Sequence, residues 1–262
     1  YNFPFTTIST RNSAVTGALG AVCRPDVRTE LSLNLSTGFR APNLDDIGKI
    51  SGSAPDIMIV PNPDLKPEYL YSIDAGVSRE LGDFLVAEAT GFFSYLDNAM
   101  VRRRFLLNGE PVIMYQGEES AVYAMVNADY AVIYGARLKA ELKPSGYLSI
   151  RSALTITAGH DDAKNHLRHV PPLFGSTHII FERSYIRADL YSVYNGSITY
   201  NRLAPAERDK AYMYATDNDG NPFSPGWFTL NFKSSFNLSD RLDLTAGVEN
   251  ILDLRYRPYS SA

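Results

Sequence analysis

One cysteine, Cys23, and one tryptophan, Trp227, occur in 262 residues. A lone cysteine closes no intrachain disulfide and builds no thiolate metal site, so Cys23 reads as a small residue on a strand. No apolar run approaches the roughly 18 residues that a membrane helix needs, which excludes helical spans but not strand-built ones. Basic residues are not in excess: 25 Lys and Arg stand against 29 Asp and Glu, a formal net charge of −4. That balance gives no electrostatic footprint for nucleic acid, and no nucleic-acid partner is expected. A sustained helical stripe with caps is also missing.

What is abundant is tyrosine and phenylalanine, 17 and 13 residues, beside 18 Gly and 15 Pro. Aromatics in that quantity suit strands at a boundary between water and an apolar phase. The pattern around them has a period of two. In the segment 69–81, Tyr69, Tyr71, Ile73, Ala75, Val77 and Leu81 alternate with Ser72, Asp74, Gly76, Ser78 and Glu80. Leu31, Leu33, Leu35 and Phe39 alternate in the same way, as do Leu242, Leu244, Ala246 and Val248. Further strands are expected at 13–24, 84–104, 127–142, 147–159, 174–182, 186–200 and 227–238, making about ten.

The connections alternate in length. Short turns at 79–84, 143–147, 182–185 and 238–242 interleave with long polar stretches at about 41–68, 105–126, 160–173 and 201–226. Long strands with all long loops at one end predict an antiparallel transmembrane β-barrel, with short periplasmic turns, long extracellular loops, polar faces toward a lumen and apolar faces toward lipid. A large soluble all-β domain stays open on periodicity alone.

Several loop residues are candidates for binding. Pro42, Pro61, Pro63 and Pro67 each remove a ladder donor and so end strand pairing. Asn43, Asn62 and Asp64 either fix turns by bonding nearby backbone or, with Arg40, contact a ligand. Arg102, Arg103 and Arg104 are expected at the end of an outgoing strand, with Arg102 and Arg104 sharing a face; extracellular guanidinium groups would attract an anionic ligand. His160, His166 and His169 share one loop with Asp161 and Asp162 and are the candidates for metal, although their spacing matches no closed site. The run 217–222, DNDGNP, lacks the later glutamate of a calcium loop and reads as a turn. No catalytic arrangement is present, so an enzyme is not expected, and no cofactor is called for.

Five stretches carry a resemblance: GFRAPN at 38–43, NPDLKPE at 62–68, RHVPPLFG at 168–175, SPGWFTLNFK at 224–233 and GVENILDLRYRPYSSA at 247–262. In this order they resemble the C-terminal part of the β-barrel of TonB-dependent outer-membrane receptors, of the kind common in Bacteroidetes-like bacteria. The resemblance extends over residues 1–262 as one portion of a barrel domain. It implies a barrel of about 22 strands, of which some ten are here, in a chain without the plug and the last strand. About half a barrel would expose two unpaired edges, so the piece is not expected to be stable alone in a bilayer. The implied partners are an extracellular ligand, outer-membrane lipid, and the TonB complex through an N-terminal region. Among ligands a ferric siderophore or other iron chelate ranks first, then cobalamin or haem; a passive porin or a soluble binding domain is the rival. The haem-transporting branch carries an iron-ligating histidine between the two boxes, and positions 43–61 contain none.

Overall fold

The computed structural model describes residues 11–48, 50–54, 56–239 and 241–259. Residues 49 and 55 of the span between the two boxes, residue 240 of the 238–242 turn and the last three residues of the terminal motif lie outside these. Ten strands form one sheet: β1 (Ala18–Asp26), β2 (Thr29–Arg40), β3 (Glu68–Leu81), β4 (Leu85–Asp97), β5 (Tyr130–Ser145), β6 (Leu148–Asp161), β7 (Leu173–Arg183), β8 (Ile186–Asn195), β9 (Trp227–Ser239) and β10 (Leu242–Val248). Each pairs antiparallel with the next in the chain, and the sheet does not close on itself among the described residues.

The period of two fixes which side chains share a face, because residues directly opposite one another point the same way. Leu35, Ile73, Phe93 and Tyr134 form one row across β2 to β5. Leu35, Ile73, Phe93 and Tyr134 are all exposed, as are Leu138, Ile156, Leu190, Phe232 and Val248 on the same face. An apolar face left open to this extent is built to meet lipid rather than water. The opposite face carries a row of Glu141, Arg151, His178, Tyr191 and Asn231 across β5 to β9. Several of its charges are paired: Arg151 bonds Glu141 at 3.0 Å, Lys139 bonds Glu88 at 2.9 Å, and His178 meets Asp189 at 3.0 Å while stacking on Tyr191.

Two-residue and three-residue turns close one end. At the β1–β2 turn, Asp26 accepts from the Arg28 amide at 2.8 Å and the Thr29 hydroxyl at 3.0 Å. At the β3–β4 turn Gly82 takes a φ of +65°, a conformation glycine adopts without steric cost. The four long connections, 41–67, 98–129, 162–172 and 196–226, all leave from the other end.

Several boundaries differ from expectation: the strand expected at 13–24 spans Ala18–Asp26, and the one expected at 127–142 spans Tyr130–Ser145. The strand expected over 84–104 ends at Asp97, because Asn98 turns left-handed with a φ of +53° and sends Met100–Arg104 out of the barrel sheet. The stretch 105–126, expected as a polar loop, is largely folded: Glu118–Asn127 pairs with both Met100–Arg104 and Val112–Tyr115, and parallel to Ile57–Ile59. This small sheet joins two long connections through a core of Met58, Val60, Leu107, Val122 and Ala124. The strand expected over 186–200 stops at Asn195.

β5 and β6 approach closely at Gly135. A Cβ there would lie 2.1 Å from the Ile156 carbonyl oxygen and 2.6 Å from the ring of Phe92, whereas at Gly91 on the facing strand nothing lies within 4 Å. Gly135→Ala must displace backbone, at a cost of about 1–3 kcal/mol. The heat-resistant folded form of the protein on electrophoresis should therefore melt several degrees lower in this variant, and Gly91→Ala should melt as the parent does.

Candidate functional site

The long connections converge on a cavity of about 620 Å³. Its floor includes Leu96, Ala131 and Ile133 from β4 and β5, the face that also carries Ser72 and Ser94. The cavity therefore opens on the polar side of the sheet, at the long-loop end. Its walls come from the ends of β2 and β3 (Arg40, Glu68), from Met100–Arg104, from His166–Val170 and from Ala204–Ala206 with Asp209.

Hydrogen bonds and ion pairs bind the connections to one another around this space. Asn62, buried, donates to the Met125 carbonyl at 2.8 Å and accepts from the Asp64 amide at 3.2 Å. Asn127 accepts from the Lys66 amide at 2.7 Å and donates to the carbonyls of Lys66 and Asn98. Glu68 accepts from the Met100 amide at 2.8 Å, and Arg103 pairs with Asp161 at 2.7 Å and with Asp162. Tyr123 donates to Asp209 at 2.5 Å, and Arg168 pairs with Glu207.

Glu207 is the centre of the densest charge cluster, with a relative exposure of only 2%. Burial pushes its carboxyl up, but the Tyr214 hydroxyl, which donates at 2.5 Å, together with Arg168 and Lys210 more than reverses this and holds it below the usual carboxylate range. Burial pushes Lys210 down, and Arg168 adds to the effect; burial likewise raises the Tyr259 hydroxyl to about 12, with help from Glu207.

The lining presents five guanidinium groups, Arg40, Arg102, Arg103, Arg104 and Arg168, against three carboxylates, Glu68, Asp161 and Asp209. Further partner carboxylates, Asp46, Asp162 and Glu207, stand outside the lining. Arg104 meets the Tyr123 hydroxyl, and Arg102 is half-buried near Arg168 and Glu207. His166 and His169 line the same space and are both held below the ordinary imidazole range, by burial first and then by Arg202 and Arg208 for the former and Arg168 for the latter.

The structure thus brings together Arg40, Arg102, Arg104, His166 and His169 of the candidates read from the sequence. Arg102 and Arg104 do so from a loop strand, not from the end of an outgoing barrel strand. His160 stays outside, its Nδ1 3.0 Å from the Asp161 carbonyl, and among the described residues no three metal-ligating side chains gather. Asn43 caps the short helix Leu44–Ile47, accepting from the Asp46 amide at 2.9 Å while the Asp46 carboxylate accepts from the Asn43 amide and pairs with Arg40. Asp217 likewise holds a tight turn, accepting from the Asp219 and Asn221 amides. Sequence reading passed over Arg168, Glu207, Lys210 and Tyr214, whose grouping arises only when the 162–172 and 196–226 connections meet.

Asn62→Ala would strip a half-buried carbonyl and a turn amide of their partner, at a cost of about 1–3 kcal/mol. Protease cleavage within 41–67 on intact cells should accelerate severalfold in this variant, with the barrel itself unaffected.

A sheet with a lipid-facing apolar side, a paired polar side, short turns at one end and interlocked long loops at the other defines an outer-membrane β-barrel. The sequence profile of the family described as TonB dependent receptor-like, beta-barrel matches residues 1–251, and the chain belongs to that family. Its place is the bacterial outer membrane, and its family are transporters.

Among curated relatives it is 24% identical over 263 residues to the Probable hemoglobin and hemoglobin-haptoglobin-binding protein 4 of Haemophilus influenzae, covering 94% of this chain and 25% of that protein. It is 30% identical over 135 residues to the Iron-regulated outer membrane virulence protein of Vibrio cholerae, covering 50% of this chain and 20% of that one. Among solved structures, the copper transporter OprC superposes with a TM-score of 0.70 at 19% identity, covering 94% of this chain and 34% of its own. A ferric enterobactin receptor mutant of Pseudomonas aeruginosa in complex with enterobactin superposes with a TM-score of 0.69 at 18% identity, covering 92% and 36%. The chain spans about a quarter of the first curated relative's length and about a third of these structures.

Proposed function

We propose that this barrel belongs to an active-transport receptor, not an enzyme, whose extracellular loops capture an iron chelate, with a negatively charged ferric siderophore as the first-ranked ligand. The observation that carries this reading is the cavity wall, where five guanidinium groups stand around a space partly screened from water, Arg40, Arg103 and Arg168 each also bonded to a carboxylate. An anionic chelate gains there from charge-assisted hydrogen bonds and from long-range attraction during approach. Passage through the lumen is then driven by the TonB complex acting on a plug domain that the family places before the barrel.

Haem is the second reading, because His166 and His169 stand on the same wall and neutral imidazole ligates iron. Growth on single nutrient sources separates the two. A strain lacking the gene is expected to lose growth on one ferric chelate as sole iron source and to retain it on haem and on cobalamin. Loss confined to haem or to cobalamin would overturn the first reading.

A further inference from the structure

A second cavity, of about 390 Å³, lies between the 196–226 connection, the start of β9 and the segment that follows β10. It shares no lining residue with the cavity described above. Trp227 and Tyr256 form one wall, stacked with ring centroids 4.3 Å apart. The Trp227 side chain sits on the polar face of the sheet, opposite Asn195. Its indole N–H is buried and meets no acceptor among the described residues, and the Asn195 side-chain oxygen is buried without a donor, so the two do not satisfy each other.

Arg255 and Arg257 line the same cavity. Arg257 donates to the Met213 carbonyl at 2.8 Å, and among the described residues neither arginine pairs with a carboxylate. Stacked aromatic rings and two cations that pair with no carboxylate among the described residues share one small space. A saturated or neutral group would satisfy only part of this set. A flat ring stacks well on exposed aromatic faces, whereas an anionic oxygen completes a guanidinium.

We propose that this pocket is a second ligand site, which takes a planar aromatic ring bearing an anionic oxygen, as in a benzoate or a phenolate. The ring lies against the Trp227–Tyr256 pair and the oxygen accepts from Arg255. The site is independent of the ligand taken by the larger cavity.

The test uses the full-length protein in detergent micelles, labelled with 5-fluorotryptophan, with the Trp227 resonance assigned by its loss in Trp227→Phe. Titration with salicylate is expected to move that resonance saturably. Arg255 is exposed, so Arg255→Gln leaves the fold intact; it should raise the salicylate Kd about tenfold. Benzamide, with the ring but no charge, and cyclohexanecarboxylate, with the charge but no aromatic face, should each bind at least tenfold more weakly. A resonance that does not respond to salicylate, a response unchanged in Arg255→Gln, or equal binding of cyclohexanecarboxylate would each overturn the assignment.

Discussion

Glu207→Ala is expected to unlock the loops over the cavity while leaving the barrel in place. The residue is almost wholly buried and is the anion shared by Arg168, Lys210 and the Tyr214 hydroxyl, with Arg102 close by. Deleting it leaves three cations crowded without the charge that holds them. Removing one partner of a buried ion pair costs about 3–5 kcal/mol, chiefly because the surviving charge stays desolvated. Such a loss exceeds what a loop can absorb, so the 162–172 and 196–226 connections should part. Protease added to intact cells should cut within them at least tenfold faster than in the parent, while the folded electrophoretic form stays unchanged, since the barrel ladders do not pass through Glu207. Glu207→Gln, which keeps an acceptor for Tyr214 and loses the charge, should fall between the two. Cleavage at the parent rate in Glu207→Ala would show that the cluster holds nothing together.

The second large effect concerns charge at the cavity wall. Arg102→Gln combined with Arg104→Gln removes two of the five guanidinium groups on the cavity wall. Hydrogen bonds to charged groups contribute about 1.5–3 kcal/mol each, so two lost together correspond to an affinity drop of about a hundredfold or more for an anionic chelate. An uncharged chelate of similar size should change by less than about threefold. An equal loss for both ligands would mean that the arginines shape the loops rather than recognise charge.

The barrel could be read from the sequence because its period of two is local and repeats. Tyr71, Ile73 and Val77 alternate with Ser72, Asp74 and Ser78 whatever their neighbours do, and the ten barrel strands follow from such runs, with the ends of four of them displaced. The expected strand over 84–104 failed at one residue, where Asn98 takes a left-handed φ. Nothing in the surrounding alternation marks it, since Met100–Arg104 continues the same β pattern and merely finds a different partner strand.

The site was less legible, for a physical reason. Arg40, Arg102 and Arg104 stood out as charges beside predicted loops, but their meeting with Arg168 depends on how the 98–129 and 162–172 connections fold over the end of β2. Glu207 and Lys210 sit in PAERDK, a stretch that reads as solvated surface. They are buried only because Leu203, Ile198 and Tyr259 pack into one core beside them. Asn62 shows the converse: a candidate ligand contact by residue type, it spends its side chain on the Met125 carbonyl and the Asp64 amide.

The most direct test of the account is calorimetric binding of two ferric chelates to the full-length protein in detergent, one a trianionic tris-catecholate and the other an uncharged trihydroxamate. The trianionic chelate is expected to bind at least tenfold more tightly at low salt, with the difference shrinking as salt screens the arginine wall. Equal or tighter binding of the uncharged chelate, or a difference indifferent to salt, would contradict the reading of the cavity as an anion-selective receptor site.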